Sequence, residues 1–252
     1  MEAIGKVDIG KKRSSNDDSI FVCNTPIGKL PNLYIVADGM GGHRAGGVAS
    51  KLAIESFYDY IVNHSDANLK TREDITRILK LGIMHANHVI YNESINNEEC
   101  KGMGTTFTAA TVINDVLYLA HVGDTRLYLL NQSGIFQATT DHSLVQEMVD
   151  EGHISKEEAR EHPQRNIITR AVGTYEKVKV DTLLYDVKMV EYMIICSDGL
   201  TDMLDDETIH SIVYNDYGNI ENIVDNLIQE ANIKGGLDNT AVILGKKYEV
   251  SQ

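Results

Sequence analysis

The chain has 252 residues, 42% hydrophobic and 24% charged, the balance of a globular protein with a generous core and not of a disordered or fibrous one. Lys and Arg number 23 against 37 Asp and Glu, a net charge of −14, which speaks against nucleic acid or an anionic membrane as partner. No apolar run approaches the ~20 residues of a membrane span, and no signal peptide is visible, so a cytoplasmic protein without membrane insertion is expected. Cys23, Cys100 and Cys196 lie far apart; they suit a reducing compartment and supply neither a disulfide frame nor a zinc spacing.

In chain order, EAIGKVDIG, DSIFVCN and LYIVAD are β-branched or aromatic runs bounded by Gly, Asn or Pro, and predict three short strands. The period then changes. Val48, Leu52, Ala53, Phe57, Tyr60 and Ile61 recur at helical spacing, as do Ile75, Ile78, Leu79, Ile83, Ala86 and Ile90 behind an N-cap at Thr71. These stripes predict an antiparallel helix pair on one sheet. Strands return in GTTFTAATVINDVLYLAHVGDTRLYLLNQSGIFQAT, with hairpin turns at Asn114-Asp115 and Asn131–Gly134. Residues 141–165 are polar and helix-leaning, an insertion between strand blocks. VKVDTLLYDV and YMIICSDG are strands, helical stripes follow at Ile209–Tyr214 and from Ile220 to Ala231, and NTAVILGKK closes the series. Segregated blocks of strands and helices predict an α+β fold in which two antiparallel sheets stack, each covered outside by a helix pair. No repeat or linker divides the chain, so residues 1–252 are expected to be one domain.

Aspartates recur at the tips of these apolar strands: Asp38 in IVADG, Asp124 in AHVGD, Asp198 in IICSDG and Asp238 in GGLDN, with Asp18 opening a strand in RSSNDDS. Each alone reads as a turn residue, since Asp-Gly is a favoured hairpin dipeptide. Strand ends at one edge of a sandwich converge, however, and several carboxylates without a lysine repel one another unless a cation sits among them. Short oxygen-only side chains suit Mg²⁺ or Mn²⁺, and a glycine beside a ligand lets its carbonyl approach as well. A paired-metal site of this kind performs in-line displacement at phosphorus. Arg13, five residues before Asp18, is placed to hold a phosphate by its fork, and His43, in the glycine loop after Asp38, is a candidate acid for the departing alkoxide.

Competing motifs are weaker. GMGGHRAGG lacks both the GKS or GKT ending of a phosphate loop and the G-x-G-x-x-G spacing of a dinucleotide site. Ser197 has no nucleophile elbow around it, Cys196 reads as core, the histidines are too scattered for zinc, and Asp202, Asp205 and Asp206 read as acids favoured at a helix start.

The ordered series RSSNDDS, VADGMGGHRAGG, MGTT, AHVGDTR, TTDHS, HPQRNIITRAVG, CSDGL and GGLDN resembles the bacterial branch of the metal-dependent serine/threonine phosphatases, the protein phosphatase 2C-like family. The resemblance runs from about residue 4 to about residue 245 and implies the same helix-flanked, two-sheet sandwich. It implies that Asp38 bridges two metal ions, with the Gly39 carbonyl completing one, and that Asp198 and Asp238 ligate the other. Asp18 would act near the metals through their waters, Arg13 would hold the substrate phosphate, and Asp124 with Asp198 would take a third ion. Residues 141–170 would form a flap bordering the site, and His43 falls in the family's DGMGGH motif. Two positions depart from the pattern, Asp17 for a common Glu or Gln and Thr125 for Ser, and neither removes a ligand.

The resemblance thus implies hydrolysis of phosphoserine and phosphothreonine in proteins, with two Mn²⁺ or Mg²⁺ ions and a third as cofactors, opposing a bacterial serine/threonine kinase. A monomer is the simplest expectation. The alternatives are a phosphoprotein-binding module with a vestigial site, opposed by the intact Arg13, Asp38, Asp198 and Asp238, and a phosphatase of anti-sigma-factor antagonists. Members of that last group usually carry sensor domains, for which no length remains.

Overall fold

The computed structural model describes residues 1–41, 45–64, 69–215 and 219–247. The chain opens with strands β1 (Glu2–Asp8), β2 (Asp18–Cys23) and β3 (Leu33–Met40), then helices α1 (Ala45–Asn63) and α2 (Arg72–Asn96). Strands β4 (Gly104–Thr105), β5 (Phe107–Ile113), β6 (Val116–Val122), β7 (Arg126–Asn131) and β8 (Gly134–Gln137) follow. Two short helices, α3 (Leu144–Asp150) and α4 (Lys156–Glu161), occupy the polar insertion. The remainder is β9 (Asp181–Asp186), β10 (Tyr192–Cys196), α5 (Asp198–Thr201), α6 (Asp206–Asn215), α7 (Ile220–Ile233) and β11 (Thr240–Lys246).

All strand pairings are antiparallel and fall into two sheets, ordered β1-β11-β10-β7-β8 and β2-β3-β5-β6-β9, with β4 beside β3. Three apolar layers hold them. Tyr34, Val36, Leu119, Leu127, Met193, Ile195 and Ile243 fill the space between the sheets. Leu33, Ile35, Phe107 and Ala109, from the opposite faces of β3 and β5, pack with Phe57, Ile61, Leu79 and Ile83 of α1 and α2. Tyr128, Ile194, Val242 and Leu244 pack with Ile209, Val213, Val224 and Leu227 of α6 and α7. The expected α-β-β-α sandwich is observed, and β3 reads as an unbroken apolar run because both its faces are covered.

Local signals act as the residue types dictate. Thr71 caps α2 by accepting the Asp74 N–H at 3.1 Å, and the Asp74 carboxylate returns to the Thr71 N–H at 3.0 Å. Asn114 and Asp115 both have positive φ, the geometry of a tight hairpin turn between β5 and β6. The stripe predicted for α1 is partly corrected. Val48 is exposed, and the buried face is Ala45, Gly46, Ala49, Ala53, Phe57 and Ile61. Small residues face the sheet because the helix start lies against β3: a Cβ on Gly39 would collide with the Gly46 carbonyl. Asp205 and Asp206 do open α6, whereas Asp202 caps the C-terminal end of α5 instead of starting a helix.

Candidate active site

Strand alternation carries the inter-sheet face of β2 and β3 to their tips. Tyr34 and Val36 point between the sheets, so Asp38, two residues on, continues that face. Ile20 and Val22 do the same for Asp18, which lies directly opposite Asp38 in the β2–β3 register. Asp124 follows the end of β6 after Gly123. From the other sheet, β10 ends at Cys196 and delivers Asp198 two residues later, while Asp238 precedes β11, the neighbour of β10. Three acids thus come from one sheet and two from the other, and they converge at a single edge of the sandwich.

The electrostatics are those of carboxylates packed against their own kind. Burial, opposed by the Ser197 hydrogen bond and joined by the charges of Asp198 and Asp238, raises Asp18 to about 7. Burial, with Asp202 and Asp238 nearby, raises Asp198 to about 7. Burial pushes Asp38 well above the ordinary carboxylate value, and Asp18, Asp198, Asp124 and Asp238 add to it. Asp124 is raised by burial first and by Asp198 and Asp141 next.

Among the described residues, Asp18 Oδ1, Asp124 Oδ1 and Asp198 Oδ1 are buried with no donor within reach. Asp38 can donate to Asp18 and Asp198 only when it carries a proton itself. Buried anionic oxygens without donors are strongly unfavourable, and a divalent cation is the partner whose chemistry matches an all-oxygen donor set. The residues therefore fit metal ions. Among the described residues no three of these groups already close around one point in ligand geometry; they stand side by side.

Supporting contacts order the edge. Ser197 Oγ donates to Asp18 Oδ2 at 2.7 Å, while the Ala241 N–H donates to Ser197 Oγ at 2.8 Å. Thr106 Oγ1 accepts the Asp38 N–H at 2.9 Å, and Thr105 Oγ1 donates to the Asp38 carbonyl at 2.8 Å. Asn239 Oδ1 accepts the Asp17 N–H at 2.9 Å, and its amide donates to the carbonyls of Ile9 and Ser15. Sequence reasoning missed Ser197, Thr106 and Asn239. Ser197 and Asn239 share the strand parity of Ile195 and Ala241, and that parity was the available signal.

Arg13 is half-exposed at the rim, its Nη2 2.6 Å from Asp238 Oδ2. The structure brings it to the acids, with Asp38 and Asp198 both within electrostatic reach. Gly39 pairs with Thr105 of β4, directly after Asp38. His43 lies outside the described residues. A cleft of about 740 Å³ runs from Asp124 and Asp198 past Arg126 and Asp141 to Arg160 and Arg165 of the 141–170 insertion. The insertion leans on α5 through Arg165 Nε, 3.5 Å from Asp202 Oδ2, and through Arg160, which donates to the Leu204 carbonyl at 3.4 Å. Arg126 binds Asp141 through Nε at 3.1 and 3.0 Å and through Nη2 at 2.7 Å. Its charge is therefore committed to the protein.

A converged edge of aspartates on a two-sheet sandwich, bordered by an arginine and a helical insertion, defines a class, and comparison with known proteins gives it a family. The protein phosphatase 2C family model matches residues 9–225. The serine/threonine phosphatase stp of Listeria welshimeri is 39% identical, over 97% of this chain and 95% of its own. Protein phosphatase PhpP of Streptococcus pneumoniae is 34% identical, over 97% and 96%. The crystal structure of serine/threonine phosphatase Stp1 from Staphylococcus aureus superposes with a TM-score of 0.90 at 36% identity, covering 98% of this chain and 95% of that one. The chain belongs to the protein phosphatase 2C family.

Proposed function

We propose that this chain is a metal-dependent protein serine/threonine phosphatase that hydrolyses phosphoserine and phosphothreonine and opposes a bacterial serine/threonine kinase. The observation that carries the proposal is the set of three buried, donorless carboxylate oxygens on Asp18, Asp124 and Asp198 around Asp38. The family relationship and the names of the relatives support the same substrate class.

Asp38, the Gly39 carbonyl, Asp198 and Asp238 would hold two ions, Mn²⁺ or Mg²⁺, with Asp18 close by and Asp124 joining Asp198 at a third. When bound, such ions supply an activated water and neutralise charge at phosphorus. The chain's own residues do the rest. Arg13, turning from Asp238, presents its guanidinium to the outer phosphate oxygens. Ser197 and Thr106 hold Asp18 and Asp38 in place, so that little reorganisation is needed when substrate arrives. His43 is assigned the proton delivered to the leaving alkoxide. Residues 141–170 act as a flap over the cleft, within one catalytic domain spanning 1–252. Among the described residues no helix is long and apolar enough to cross a membrane. A monomer acting on phosphoproteins in the cytoplasm completes the proposal.

The test is hydrolysis of p-nitrophenyl phosphate and of a phosphothreonine peptide with Mn²⁺, with Mg²⁺ and with EDTA. Metal-dependent turnover that EDTA abolishes is expected. A folded sample inactive with every metal would overturn the proposal in favour of a phosphoprotein-binding module.

A further inference from the structure

Gly123, which turns the chain into Asp124, has φ of +111°, and a Cβ there would run into Thr106. Glycine adopts this conformation without strain and many others besides, so its contacts with the rest of the fold fix the turn. Both hydrogen bonds of the Gly123 backbone are made with one residue. The His142 N–H donates to the Gly123 carbonyl at 2.8 Å, and the Gly123 N–H donates to His142 Nδ1 at 2.9 Å. Because Nδ1 accepts, the hydrogen of the neutral ring sits on Nε2, which faces Asp181 Oδ2 at 3.0 Å. Arg170 Nη1 lies 3.0 Å from Asp181 Oδ1 and 2.9 Å from His142 Nε2; with Nε2 already a donor, its hydrogen goes to Asp181.

The same residue ties down the insertion. The His142 carbonyl accepts the Thr169 N–H at 2.8 Å, and Leu144 N–H reaches the Ile167 carbonyl at 2.9 Å, so the two feet of the 141–170 segment are clasped beside Gly123. His121, its ring centroid 4.8 Å from that of His142, packs against it from β6. Burial holds both imidazoles below their ordinary value, so the ring that clasps Gly123 is neutral at neutral pH.

We propose that His142 is a positioning residue that fixes the Gly123–Asp124 turn and couples it to the feet of the flap, with Asp181 and Arg170 selecting its tautomer. The inference rests on the assignment of Asp124 as a metal ligand. Asp181 lies on β9, a strand that carries none of the five site aspartates.

Mn²⁺ binding by calorimetry, thermal melting, and kcat and KM for p-nitrophenyl phosphate would be compared for wild type, Asp124→Ala, Asp181→Ala, His142→Ala and His142→Asn. Asp124→Ala should remove one Mn²⁺-binding step. Asp181→Ala and His142→Ala should weaken that same step about 10- to 100-fold, the range for residues that orient metal ligands from behind. They should lower kcat more than they raise KM. His142→Asn, whose amide oxygen can still accept the Gly123 N–H, should recover part of both. If Asp181→Ala lowers only the melting temperature and leaves the Mn²⁺ step in place, the positioning role is wrong. If Asp124→Ala binds Mn²⁺ as wild type does, the ligand assignment fails instead. Should His142→Ala not fold, Asp181→Ala decides alone, because its side chain is about one-third exposed and its loss opens no core.

Discussion

Asp115 and Asp124 stand at opposite ends of one strand, β6, each beside a turn. At one end Asp115 sits in the hairpin with positive φ, and Lys247 Nζ approaches its Oδ1 at 2.8 Å. That lysine lowers its pKa, and solvent reaches the group freely. At the other end Asp124 is buried, its Oδ1 has no donor, and its pKa is driven upward. The residue type is the same, and each stands next to a turn. The difference is the source of positive charge: the chain supplies it at one end, while at the other the donor set calls for an added cation. An aspartate becomes a candidate ligand where the fold gathers acids and withholds lysine.

The largest expected effect breaks the acid edge itself. Asp38→Ala or Asp198→Ala should cost about 10³-fold or more in turnover, the several kcal/mol that metal assistance contributes. The metal-free variants should melt no lower than wild type above pH 7, because each loses a buried like charge; phosphatase assays and thermal melts check both. Near-normal activity in either would refute the assignment.

Arg13→Ala should lower kcat/KM about 10- to 100-fold, the worth of a charge-assisted hydrogen bond to substrate, and Arg13→Lys should regain part of it. Asp124→Ala should be milder, with one Mn²⁺-binding step gone, part of the turnover lost and the metal dependence altered.

The acid edge also sets a pH dependence that Asp115 cannot. Asp18 and Asp198 titrate near 7 in the fold against an ordinary 3.8. Between those values the native state binds more protons than the unfolded one, so stability falls as pH rises. The EDTA-treated protein should therefore lose melting temperature steadily from about pH 4 to about pH 7, and saturating Mn²⁺ should flatten or reverse the slope. A melting curve rising over that window without metal would contradict the raised carboxyls. The smallest effect belongs to Asp115→Asn, which keeps a residue tolerant of positive φ. Turnover should be unchanged and the melting temperature should move by no more than about 3 °C.

Much of this was legible in advance because its physics is local or periodic. The unbroken apolar run LYIVAD and the helical stripe of Ile75–Ile90 marked elements whose buried faces the structure places as expected, and Asn114-Asp115 marked its turn through φ alone. The acids were legible as candidates by position, at strand tips beside Gly or Asn. Val48 misled because the close approach of Gly39 to Gly46, which turns α1, depends on two segments meeting in space.

By itself the sequence determined which strands carry an aspartate at their tip, and which arginine lies close enough along the chain to serve them, since strand parity and spacing are properties of a linear pattern. Only the tertiary structure decided that Asp18 faces Asp38, that Ser197 reaches back to Asp18 across 179 residues, and that His142 clasps Gly123 while Asp181 orients it. Those contacts join strands and loops of both sheets, and no periodicity encodes them. They arise when two sheets bury their inner faces against each other and every polar group left at the edge must find a partner.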